Sequence, residues 1–423
     1  MFYKILSDRE ERFNTISKLA NIHPILVTLK ANTPGNDKNR YSSSFLVNQL
    51  DQVMYQTFDI IDKNEFKSLD GPYNIYSIKS TSEYKLKSDL IYIEENHPLG
   101  RLVDLDLYIH GKMISRKDFD INPRACLLCD KPAFICMKEK NHSVHDVLSF
   151  IDLLIYQYIE ESIDDFIDTS ILKELNLENK FGLVTPSSNG SHNDMNYDLM
   201  KRSKAIIKPY LLDILKLGFL YDDENLYQRA RAIGLNAEVE MFKKTDQVNT
   251  YKGLIYILGF VLLSIGYVIR HNLAYNDLFV RIKSLAKDVL EDFNKNVQTA
   301  GVKSFLQYQI TGIRGEVFNG LPTIQKAQKT FLHIDTFKDK NQHQLLLFFM
   351  IRSEDTVLLK RAGSLKSYQH FKQMAAQVNP YIDKDIKDFT TYCINHNISI
   401  GGSADLFIVF HFLNLFKNFY HHT

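Results

Sequence analysis

The pattern of hydrophobic and polar positions changes about one third of the way along the chain. Short apolar and β-branched runs in the first third predict β-strands. These runs lie at residues 25–29, 73–78, 89–93 and 102–109. After Ser143, apolar residues such as Ile151, Leu154 and Ile155 recur at three- and four-residue spacing, which is typical of a helix. The early part of the chain is therefore expected to form a sheet and the later part to be helical.

The same change indicates where the chain divides. Strand-like runs are scarce after Val184, and no flexible linker separates the two parts. We therefore predict an α+β protein with a mixed α/β domain at residues 1–158 and a larger all-α domain at residues 159–423. A chain of 423 residues that is 45% hydrophobic is long and apolar enough for two such cores.

Composition and charge exclude several classes of protein. The most apolar segment, Leu254–Ile269, is shorter than the about 18–20 residues that span a bilayer, so we interpret it as a buried core helix, with a membrane span as the alternative. The amino terminus has no apolar run typical of a secretory signal. The net charge is +1 without a basic tail or stripe, which argues against general nucleic-acid binding. Four cysteines favour a reducing, cytoplasmic setting.

Two aspartates one residue apart form the first candidate site. In an extended strand Asp104 and Asp106 point to the same face, where they could share a Mg²⁺ ion that holds the phosphates of a nucleotide. Arg101, Arg116 and Arg124 would neutralise those phosphates. The alternative is a pair of solvated carboxylates on a surface strand. Apolar neighbours on both sides of each aspartate indicate an internal strand and favour a function.

Cysteine and histidine residues follow at spacings that suggest a metal site. Cys126, Cys129, Cys136 and His142 have the number and types of ligand of a structural zinc site, and the first two have a common zinc spacing. The alternative is three small, partly buried thiols beside a turn. Cys393 lies far away in the sequence and is expected on a helix face.

Taken together, the motifs of the first part resemble the CitX family. The matching residues are Arg9, Arg12, His23-Pro24, Asn32-Thr33-Pro34-Gly35, Lys38, Gly100 to Asp106, Ser115-Arg116, Arg124 and Cys126-Leu127-Leu128-Cys129. That family is the apo-citrate lyase phosphoribosyl-dephospho-CoA transferase. The resemblance implies a nucleotidyltransferase-like fold and transfer of a phosphoribosyl-dephospho-CoA group to a serine of the apo acyl carrier protein, the gamma subunit of citrate lyase, with release of pyrophosphate. It makes Asp104 and Asp106 the catalytic, Mg²⁺-binding residues.

Two glycine-containing motifs open the helical part. The first places His192, a candidate acid or base, two residues before Asp194, a candidate metal ligand. Its structural alternative is a helix entry with Asp194 as the cap. The second motif, at residues 249–253, precedes the most apolar helix, where free amides and Lys252 suit a phosphate. The alternative there is an ordinary cap by Asn249 or Thr250.

Two further motifs combine glycines with charged residues. Residues 312–316 place Arg314 and Glu316 between glycines, which suits a bound phosphate or a plain surface ion pair. Asp355 and Arg361 are expected to form a similar, weaker pair. In the last motif Gly401 and Gly402 precede Ser403, the expected helix cap, so that the helix end could cradle a phosphate, with Asp405 as a metal ligand or a dipole-stabilising acid.

The order and spacing of these motifs resemble the CitG family, triphosphoribosyl-dephospho-CoA synthase, from about Lys180 to Leu413. The matching pieces are Gly182-Leu183-Val184, Gly190-Ser191-His192, Asp194-Met195, Ala237-Glu238, Met241, Asn249-Thr250, Lys252-Gly253, Gly312 to Glu316, Gly320, Pro322, Asp355-Thr356, Arg361, Gly363 and Gly401 to Leu406. The chain departs from the family near Thr185, where a Pro-Lys-Pro-Gly segment is absent, and at Asn196, which replaces an acid. Neither residue is therefore assigned as a metal ligand.

The CitG resemblance implies a reaction between ATP and 3′-dephospho-CoA. The 2′-hydroxyl of dephospho-CoA attacks the anomeric carbon of the ATP ribose, adenine leaves, and the triphosphate is retained. The expected phosphate ligands are Lys252, Arg314, Arg361, Gly401, Gly402 and Ser403. The expected Mg²⁺ ligands are Asp194, Glu316 and Asp405, with His192 or Glu238 as the base and Glu316 also counted as catalytic.

These expectations combine into one bifunctional enzyme. The second domain would make triphosphoribosyl-dephospho-CoA, and the first would transfer it to the carrier protein, with no nucleic-acid or membrane partner. One alternative keeps the chemistry but serves the carrier protein of malonate decarboxylase. Another is a non-catalytic, nucleotide-binding assembly factor, which would bind ATP without releasing adenine.

Overall fold

The computed structural model describes residues 2–80, 82–294, 300–336 and 338–420. The chain splits into two compact units. The first unit comprises Met1–Glu161, Ile269–Asn272 and Phe419–Thr423, and the second comprises Ser162–Val268 and Leu273–Asn418. The chain is of the α+β class, because its sheet belongs to the first unit and the second is helical where it is described.

The first unit combines a five-stranded antiparallel sheet with helices. Its elements are α1 (Phe2–Ala20), β1 (Ile25–Ala31), α2 (Tyr41–Thr57), β2 (Ile60–Ser68), β3 (Gly71–Ile78), α3 (Glu83–Asn96), β4 (Val103–Ile109), β5 (Lys112–Ile114), α4 (Ala133–Glu139) and the first half of α5 (Val144–Asn176). The strand order is β2-β3-β1-β4-β5. Strand β1 is therefore central, and β4 lies beside it.

Three of the four predicted strands are confirmed and one is wrong. The runs at 25–29, 73–78 and 102–109 correspond to β1, β3 and β4. The run at 89–93 lies within helix α3, whose buried Leu86, Leu90 and Ile93 recur at four- and three-residue spacing. Ser82 caps this helix by accepting a hydrogen bond from the Lys85 amide at 3.2 Å. A short apolar run is compatible with a strand or with a buried helix face. Here the cap at Ser82 favours the helix. Strand β2, which is mostly polar and has no buried position, was not predicted.

Strand β4 places both candidate aspartates on one face. Its buried and half-buried positions alternate, with Val103, Leu105 and Leu107 buried. Asp104 and Asp106 therefore share the opposite face, as the sequence predicted. In the antiparallel pairing with β1, Asp104 lies opposite Lys30 and Asp106 lies opposite Thr28.

The second unit consists of the rest of α5, twelve further α-helices and a short 3-10 helix (Val289–Asn294) over its described residues. The α-helices are α6 (Tyr197–Leu220), α7 (Leu226–Lys244), α8 (Lys252–Arg270), α9 (Asp277–Leu285), α10 (Ala300–Tyr308), α11 (Gly312–Phe318), α12 (Pro322–Thr330), α13 (Asp339–Arg352), α14 (Thr356–Ala362), α15 (Leu365–Ala375), α16 (Asp383–Asn395) and α17 (Gly401–Phe419).

Helix α8 lies in the core of this unit. Leu258, Val261 and Ile265 have no exposed surface. Gly266 lets α6 approach closely, because a Cβ there would overlap the backbone at Gly218 and Phe219. Of the helices described, α8 alone is long and apolar enough to cross a membrane, and 72% of its most apolar window is buried inside the protein. The burial supports the interpretation as a core helix.

Candidate active sites

A basic pocket lies on the face of the sheet that carries the two aspartates. Its volume is about 260 Å³. The charged side chains that line it are Arg9, Arg12, Lys30, Lys38, Asp104 and Asp106. Arg9 and Arg12 are one turn apart on α1 and therefore point to the same side of the helix. Four cations and two carboxylates in one pocket suit a polyphosphate that is bound together with a divalent cation.

A buried carboxylate holds three of these cations in place. Asp70 is 1% exposed and accepts hydrogen bonds from Arg9 Nε at 3.1 Å and from Arg12 Nη1 at 2.8 Å. It also pairs with Lys30. Burial lowers the pKa of Lys30 to about 8, an effect that the Asp70 contact partly offsets. The cations keep their positions before any phosphate arrives, because one anion already orders them.

The two aspartates have electrostatics that favour a bound cation. Burial raises the pKa of Asp104, against the opposing effect of Arg124. Burial, and then the neighbouring Asp104, raise the pKa of Asp106 to about 6. Two carboxylates that resist ionisation together are stabilised by a shared divalent cation. The pair is therefore the candidate Mg²⁺ site of the basic pocket, whose wall includes both carboxylates.

The three arginines expected to bind phosphate have protein partners instead. Arg116 pairs with Glu94 at 2.7 Å and with Glu95 at 2.9 Å. Arg124 donates to Val103 O at 2.9 Å and to Asp104 Oδ1 at 2.6 Å, and it also pairs with Glu94. The third, Arg101, donates to Ala125 O at 2.7 Å and to Cys126 O at 3.4 Å. All three lie outside the lining of the basic pocket.

Sequence reasoning missed the pocket's own cations as phosphate ligands. Arg9, Arg12 and Lys38 were noted only as part of a family resemblance, and Lys30 was not noted at all. Alternation along β1 puts Lys30 on the same face as Thr28, which was a usable signal. Only the pairing of β1 with β4 shows that this face also carries the aspartates.

The predicted cysteine and histidine cluster is brought together. One ligand atom each from Cys126, Cys129, Cys136 and His142 lies within 4.8 Å of every other. Cys129 Sγ is 3.4 Å from Cys136 Sγ and 3.3 Å from His142 Nε2. Cys393 is buried in α16, as expected for a helix-face residue.

The second unit contains a polar cavity of about 630 Å³. Its lining includes the predicted site residues His192, Asp194, Lys252, Arg314, Glu316, Arg361, Gly401, Gly402 and Asp405. Helices α8, α11, α14 and α17 all begin at its wall. The motifs at residues 249–253, 312–316 and 401–405 therefore converge because each of them starts a helix at the same cavity, where the amino-terminal dipoles favour anions.

Two predicted residues lie outside this lining. Glu238 forms an ion pair with Lys252 at 2.7 Å and borders a second cavity of about 380 Å³, which shares Lys252 and Arg314 with the first. Ser403 is fully buried and donates from its amide and its hydroxyl to Asp355 at 2.8 and 2.9 Å. The prediction that Ser403 caps a helix is wrong, because α17 begins at Gly401 and the Ser403 side chain donates a hydrogen bond.

Asp355 joins two helix starts, so the predicted pair with Arg361 is also wrong. Besides Ser403, its carboxylate accepts from the amides of Val357 and Leu358 at 2.9 and 3.0 Å, which caps α14. A Cβ on Gly402 would lie 3.0 Å from Asp355 Oδ1, so the glycine permits this approach. One buried carboxylate thus occupies the free amides of α14 and α17.

Arg361 contacts His192 instead. It donates to His192 Nδ1 at 3.3 Å and to Ser191 O at 3.3 Å. The other ring nitrogen, Nε2, is 3.0 Å from Ser399 Oγ. Burial, and then Arg361, lower the pKa of His192, which favours the neutral imidazole. Since the Nδ1 lone pair accepts a hydrogen bond from Arg361, His192 orients this cation at the wall of the cavity.

Carboxylates also occupy other helix starts around the cavity. Glu316 accepts from the amide and hydroxyl of Thr323 at 2.8 and 2.9 Å, at the start of α12. Glu354, which sequence reasoning missed, accepts from the amides of Thr311 and Gly312 at 2.7 and 3.3 Å, at the start of α11. Burial raises the pKa of Glu316. These carboxylates fix the ends of the helices that line the cavity.

Two caps in this unit can be compared with the predictions. Asn249 accepts from the Lys252 amide at 3.3 Å, as one of the two predicted caps of α8. Asn196, not Asp194, caps α6 by accepting from the Leu199 amide at 2.8 Å. Asp194 is 61% exposed and lies 3.9 Å from His192 Nδ1. Its carboxylate is therefore available to a ligand in the cavity.

Asp405 faces the cavity without a hydrogen-bond donor among the described residues. Burial, and then Asp355 and Glu174, raise its pKa well above the usual value. Glu174 also lines the cavity and is paired with the buried Lys180 at 2.7 Å. Sequence reasoning missed Glu174, because it belongs to an ordinary helical stretch of α5 without a motif. A cation beside Asp405 would relieve the cost of its negative charge.

Comparison with known proteins assigns each part of the chain to a family. Residues 2–158 match the family of apo-citrate lyase phosphoribosyl-dephospho-CoA transferase (CitX). Residues 160–423 match ATP:dephospho-CoA triphosphoribosyl transferase (CitG). Protein CitXG of Leuconostoc mesenteroides is 31% identical over 97% of this chain and 96% of its own length. Protein CitXG of Haemophilus influenzae is 32% identical over 81% of this chain and 80% of its own length. The triphosphoribosyl-dephospho-CoA synthase of Haemophilus ducreyi is 29% identical over 66% of this chain and 96% of its own length.

The fold, the two sites and these matches define a bifunctional transferase with two transferase parts in tandem. The expected resemblance to the CitX and CitG families is confirmed. The chain belongs to the CitXG family.

Proposed function

We propose that this chain makes the prosthetic group of citrate lyase and attaches it. The helical part joins ATP and 3′-dephospho-CoA to give 2′-(5″-triphosphoribosyl)-3′-dephospho-CoA and adenine. The part that contains the sheet then transfers phosphoribosyl-dephospho-CoA to a serine of the apo acyl carrier protein and releases pyrophosphate. Maturation of citrate lyase follows from the family, and the relatives named CitXG favour it over malonate decarboxylase.

In the synthase reaction the 2′-hydroxyl of dephospho-CoA attacks the anomeric carbon of the ATP ribose. A C–O bond forms, the C–N bond to adenine breaks, and the hydroxyl proton passes to a base. We assign Lys252, Arg314 and Arg361 to the triphosphate, because all three line the polar cavity. Mg²⁺ would be held by Asp405 and Asp194, with Glu316 beside them. The main support is the convergence of separate motifs on one cavity of about 630 Å³.

The two candidate bases are each paired with a candidate phosphate ligand. His192 accepts from Arg361, and Glu238 is in an ion pair with Lys252. A triphosphate that draws these cations to itself would free the lone pair of either base. General-base action by His192 or Glu238 would thus depend on bound ATP, which would suppress proton transfer in the empty site.

In the transfer reaction the carrier serine attacks the phosphorus bonded to the 5″-oxygen of the ribose. A new P–O bond to the serine forms, the bond to the next phosphate breaks so that pyrophosphate leaves, and the hydroxyl proton passes to a base. Asp104 and Asp106 would hold Mg²⁺ against the reacting phosphate, in a nucleotidyltransferase-like arrangement. Arg9, Arg12, Lys30 and Lys38 would bind the leaving pyrophosphate, since they line the pocket next to the aspartates. In this proposal Arg101, Arg116 and Arg124 support the site instead of contacting phosphate.

The remaining expectations are also proposals. We place the boundary between the two catalytic parts near residue 158, where the two family matches meet. The partner is the apo acyl carrier protein of citrate lyase, and the compartment is the cytoplasm. Mg²⁺ serves both reactions, and Zn²⁺ is assigned to the cysteine and histidine cluster.

The deciding experiment measures the two products separately. With ATP, Mg²⁺ and dephospho-CoA, chromatography should detect free adenine, and a folded protein that releases none contradicts the synthase proposal and fits an assembly factor. With synthesised triphosphoribosyl-dephospho-CoA and apo carrier protein, pyrophosphate should appear. Asp104→Ala should abolish transfer and leave adenine release within about twofold of wild type. Asp62→Ala, an exposed carboxylate on β2, is the matched control and should retain both activities.

A further inference from the structure

The segment that follows β4 has almost no hydrophobic core of its own. From residue 110 to residue 150, all of it described, Cys136 is the only buried residue. The segment nevertheless forms defined structure, including helix α4 and a backbone bridge between Ala125 and Pro132. Segments that bury so little apolar surface usually need a disulfide or a metal ion to be stable.

The side chains gathered in this segment have the chemistry of a zinc site. The ligand atoms of Cys126, Cys129, Cys136 and His142 lie within 4.8 Å of one another. Tetrahedral Zn²⁺, with bonds of about 2.3 Å to sulfur and about 2.0 Å to nitrogen, places its ligand atoms roughly 3.5–3.8 Å apart. The separations of 3.4 Å between Cys129 and Cys136 and of 3.3 Å between Cys129 and His142 are close to that spacing. They are far longer than the about 2.05 Å of a disulfide bond.

The backbone turn that carries the cluster is fastened to strand β4. The Cys126 amide donates to Lys131 O at 2.7 Å, and the Ala133 amide donates to Arg124 O at 2.9 Å. From the turn, the Arg124 side chain reaches Val103 O and Asp104 Oδ1. From the other side, Arg101 Nη2 donates to Ala125 O at 2.7 Å. The cluster is therefore linked to Asp104 through a short path, which runs from Cys126 along the backbone to Arg124 and then through the Arg124 side chain.

We propose that the cluster binds one structural Zn²⁺ ion and that the zinc-held turn positions Arg124 against Asp104. Zn²⁺ replaces the missing hydrophobic core of the turn. Nη1 of Arg124 then donates both to the β4 backbone at Val103 O and to Asp104 Oδ1, and so sets the direction of the remaining carboxylate oxygen. Arg124 is a positioning residue, and its effect on the reaction passes through Asp104. The zinc assignment stands on its own, and the positioning role rests on the proposed transfer reaction.

Metal analysis tests the zinc site without any activity. Protein purified from zinc-supplemented medium should contain about one Zn per chain by elemental analysis, and little iron. Cys129→Ser and His142→Ala should lose most of it. Cys393→Ser is the matched control, because Cys393 is buried in α16 outside the cluster, and it should keep its zinc. Four free thiols are expected after denaturation. Wild-type protein without zinc, or with only two titratable thiols, would overturn the site in favour of a disulfide.

Measuring both activities of the chain distinguishes a positioning role of the zinc-held turn from a general loss of structure. Removing zinc with a chelator should lower transfer by at least about tenfold, the usual scale for groups that orient a metal ligand. Adenine release should stay within about twofold, and added Zn²⁺ should restore transfer. If zinc is lost and transfer is unchanged, the positioning role is wrong. If zinc is present but the wild type transfers nothing, the proposed function fails and the zinc site remains.

Arg124→Lys tests the contact itself. Lysine keeps the charge, but its single ammonium lacks the planar fork by which Arg124 reaches Val103 O and Asp104 Oδ1 through Nη1 and Glu94 through Nη2. This variant should keep its zinc and its thermal stability, yet require a severalfold higher Mg²⁺ concentration for half-maximal transfer. A merely structural arginine would change stability without changing the Mg²⁺ requirement. An unchanged Mg²⁺ requirement in a variant that holds zinc would contradict the assigned role.

Discussion

The carboxylate of Asp405 occupies the space beside Gly253 that a side chain would need. A Cβ on Gly253 would overlap Asp405 Oδ2. Gly253 lies in the first turn of α8, so the start of α17 meets the start of α8 at this carboxylate. Position 253 therefore requires a glycine for packing, because the Asp405 carboxylate that lines the cavity needs this space.

We predict that Gly253→Ala disables adenine release. The added methyl group must displace Asp405 or shift α8, which is fully packed in the core. Adenine release should fall by at least about tenfold, because Asp405, the proposed metal ligand, would no longer meet the triphosphate. Pyrophosphate release from supplied triphosphoribosyl-dephospho-CoA should be unchanged. Equal loss of both reactions would mean that the substitution damages the whole chain.

Two conservative changes at the cavity should move stability in opposite directions. Burial raises the pKa of Asp405, so its charged form destabilises the metal-free protein at neutral pH. Asp405→Asn removes that charge and should raise the melting temperature while adenine release falls by at least about 100-fold. Asp355→Asn should lower the melting temperature, because an amide cannot accept from all four donors that Asp355 now satisfies. The melting temperatures of both variants and of the wild type, measured without Mg²⁺, test these predictions. A melting temperature of Asp405→Asn below that of the wild type would contradict the claim that the charge of Asp405 destabilises the protein.

Pyrophosphate binding should weaken in alkaline solution because of Lys30. Its pKa is lowered to about 8 by burial, so the ammonium loses its proton within reach of experiment. Loss of that charge should reduce pyrophosphate affinity by up to about tenfold between about pH 7 and pH 9.5. Lys30→Arg is the control, because arginine keeps its charge over this pH range. Any change in the affinity of this variant with pH therefore reports the ionisation of pyrophosphate itself. Calorimetric titrations that show the same pH dependence for both proteins would exclude Lys30 as a ligand.

The same shift predicts a small effect on stability. Because the folded-state pKa of Lys30 lies below the ordinary value of 10.5, the folded protein binds fewer protons than the unfolded chain between about pH 8 and pH 10.5. The contribution of Lys30 to the free energy of unfolding should therefore increase as the pH rises through this window. Chemical denaturation of wild type and of Lys30→Met, in which this increase is absent, would measure it.

The buried ion pair between Lys180 and Glu174 should be costly to break. Their side chains are 1% and 5% exposed, at a separation of 2.7 Å. Lys180→Met should lower the free energy of unfolding by about 3–5 kcal/mol, because it leaves Glu174 as a buried, uncompensated charge. Lys243→Met, in an exposed pair with Glu240, should cost less than about 1 kcal/mol. Urea denaturation measures both, and equal effects would contradict the importance of burial.

Most of the fold could be predicted from local patterns. Alternation gave β4 and the shared face of Asp104 and Asp106, and helical spacing gave the helical second part. The failures have local causes too. The run at 89–93 is too short to distinguish a strand from a helix, and polar β2 has no hydrophobic pattern to detect. Ser403 was expected to accept a hydrogen bond as a cap, but a distant carboxylate, Asp355, made it a donor.

The sites divide in a similar way between the sequence and the tertiary structure. The sequence by itself determined the residue types, the two-part organisation and the zinc-type ligand set, because charge, glycine spacing and hydrophobic periodicity are properties of nearby residues. Only the tertiary structure decided which cations meet which carboxylates. Strand pairing places Lys30 opposite Asp104. Arg124, which was expected to bind phosphate, donates a hydrogen bond to Asp104 instead, and Arg361 donates one to His192. Such pairings depend on contacts between residues far apart in the chain, and a single sequence carries no direct record of them.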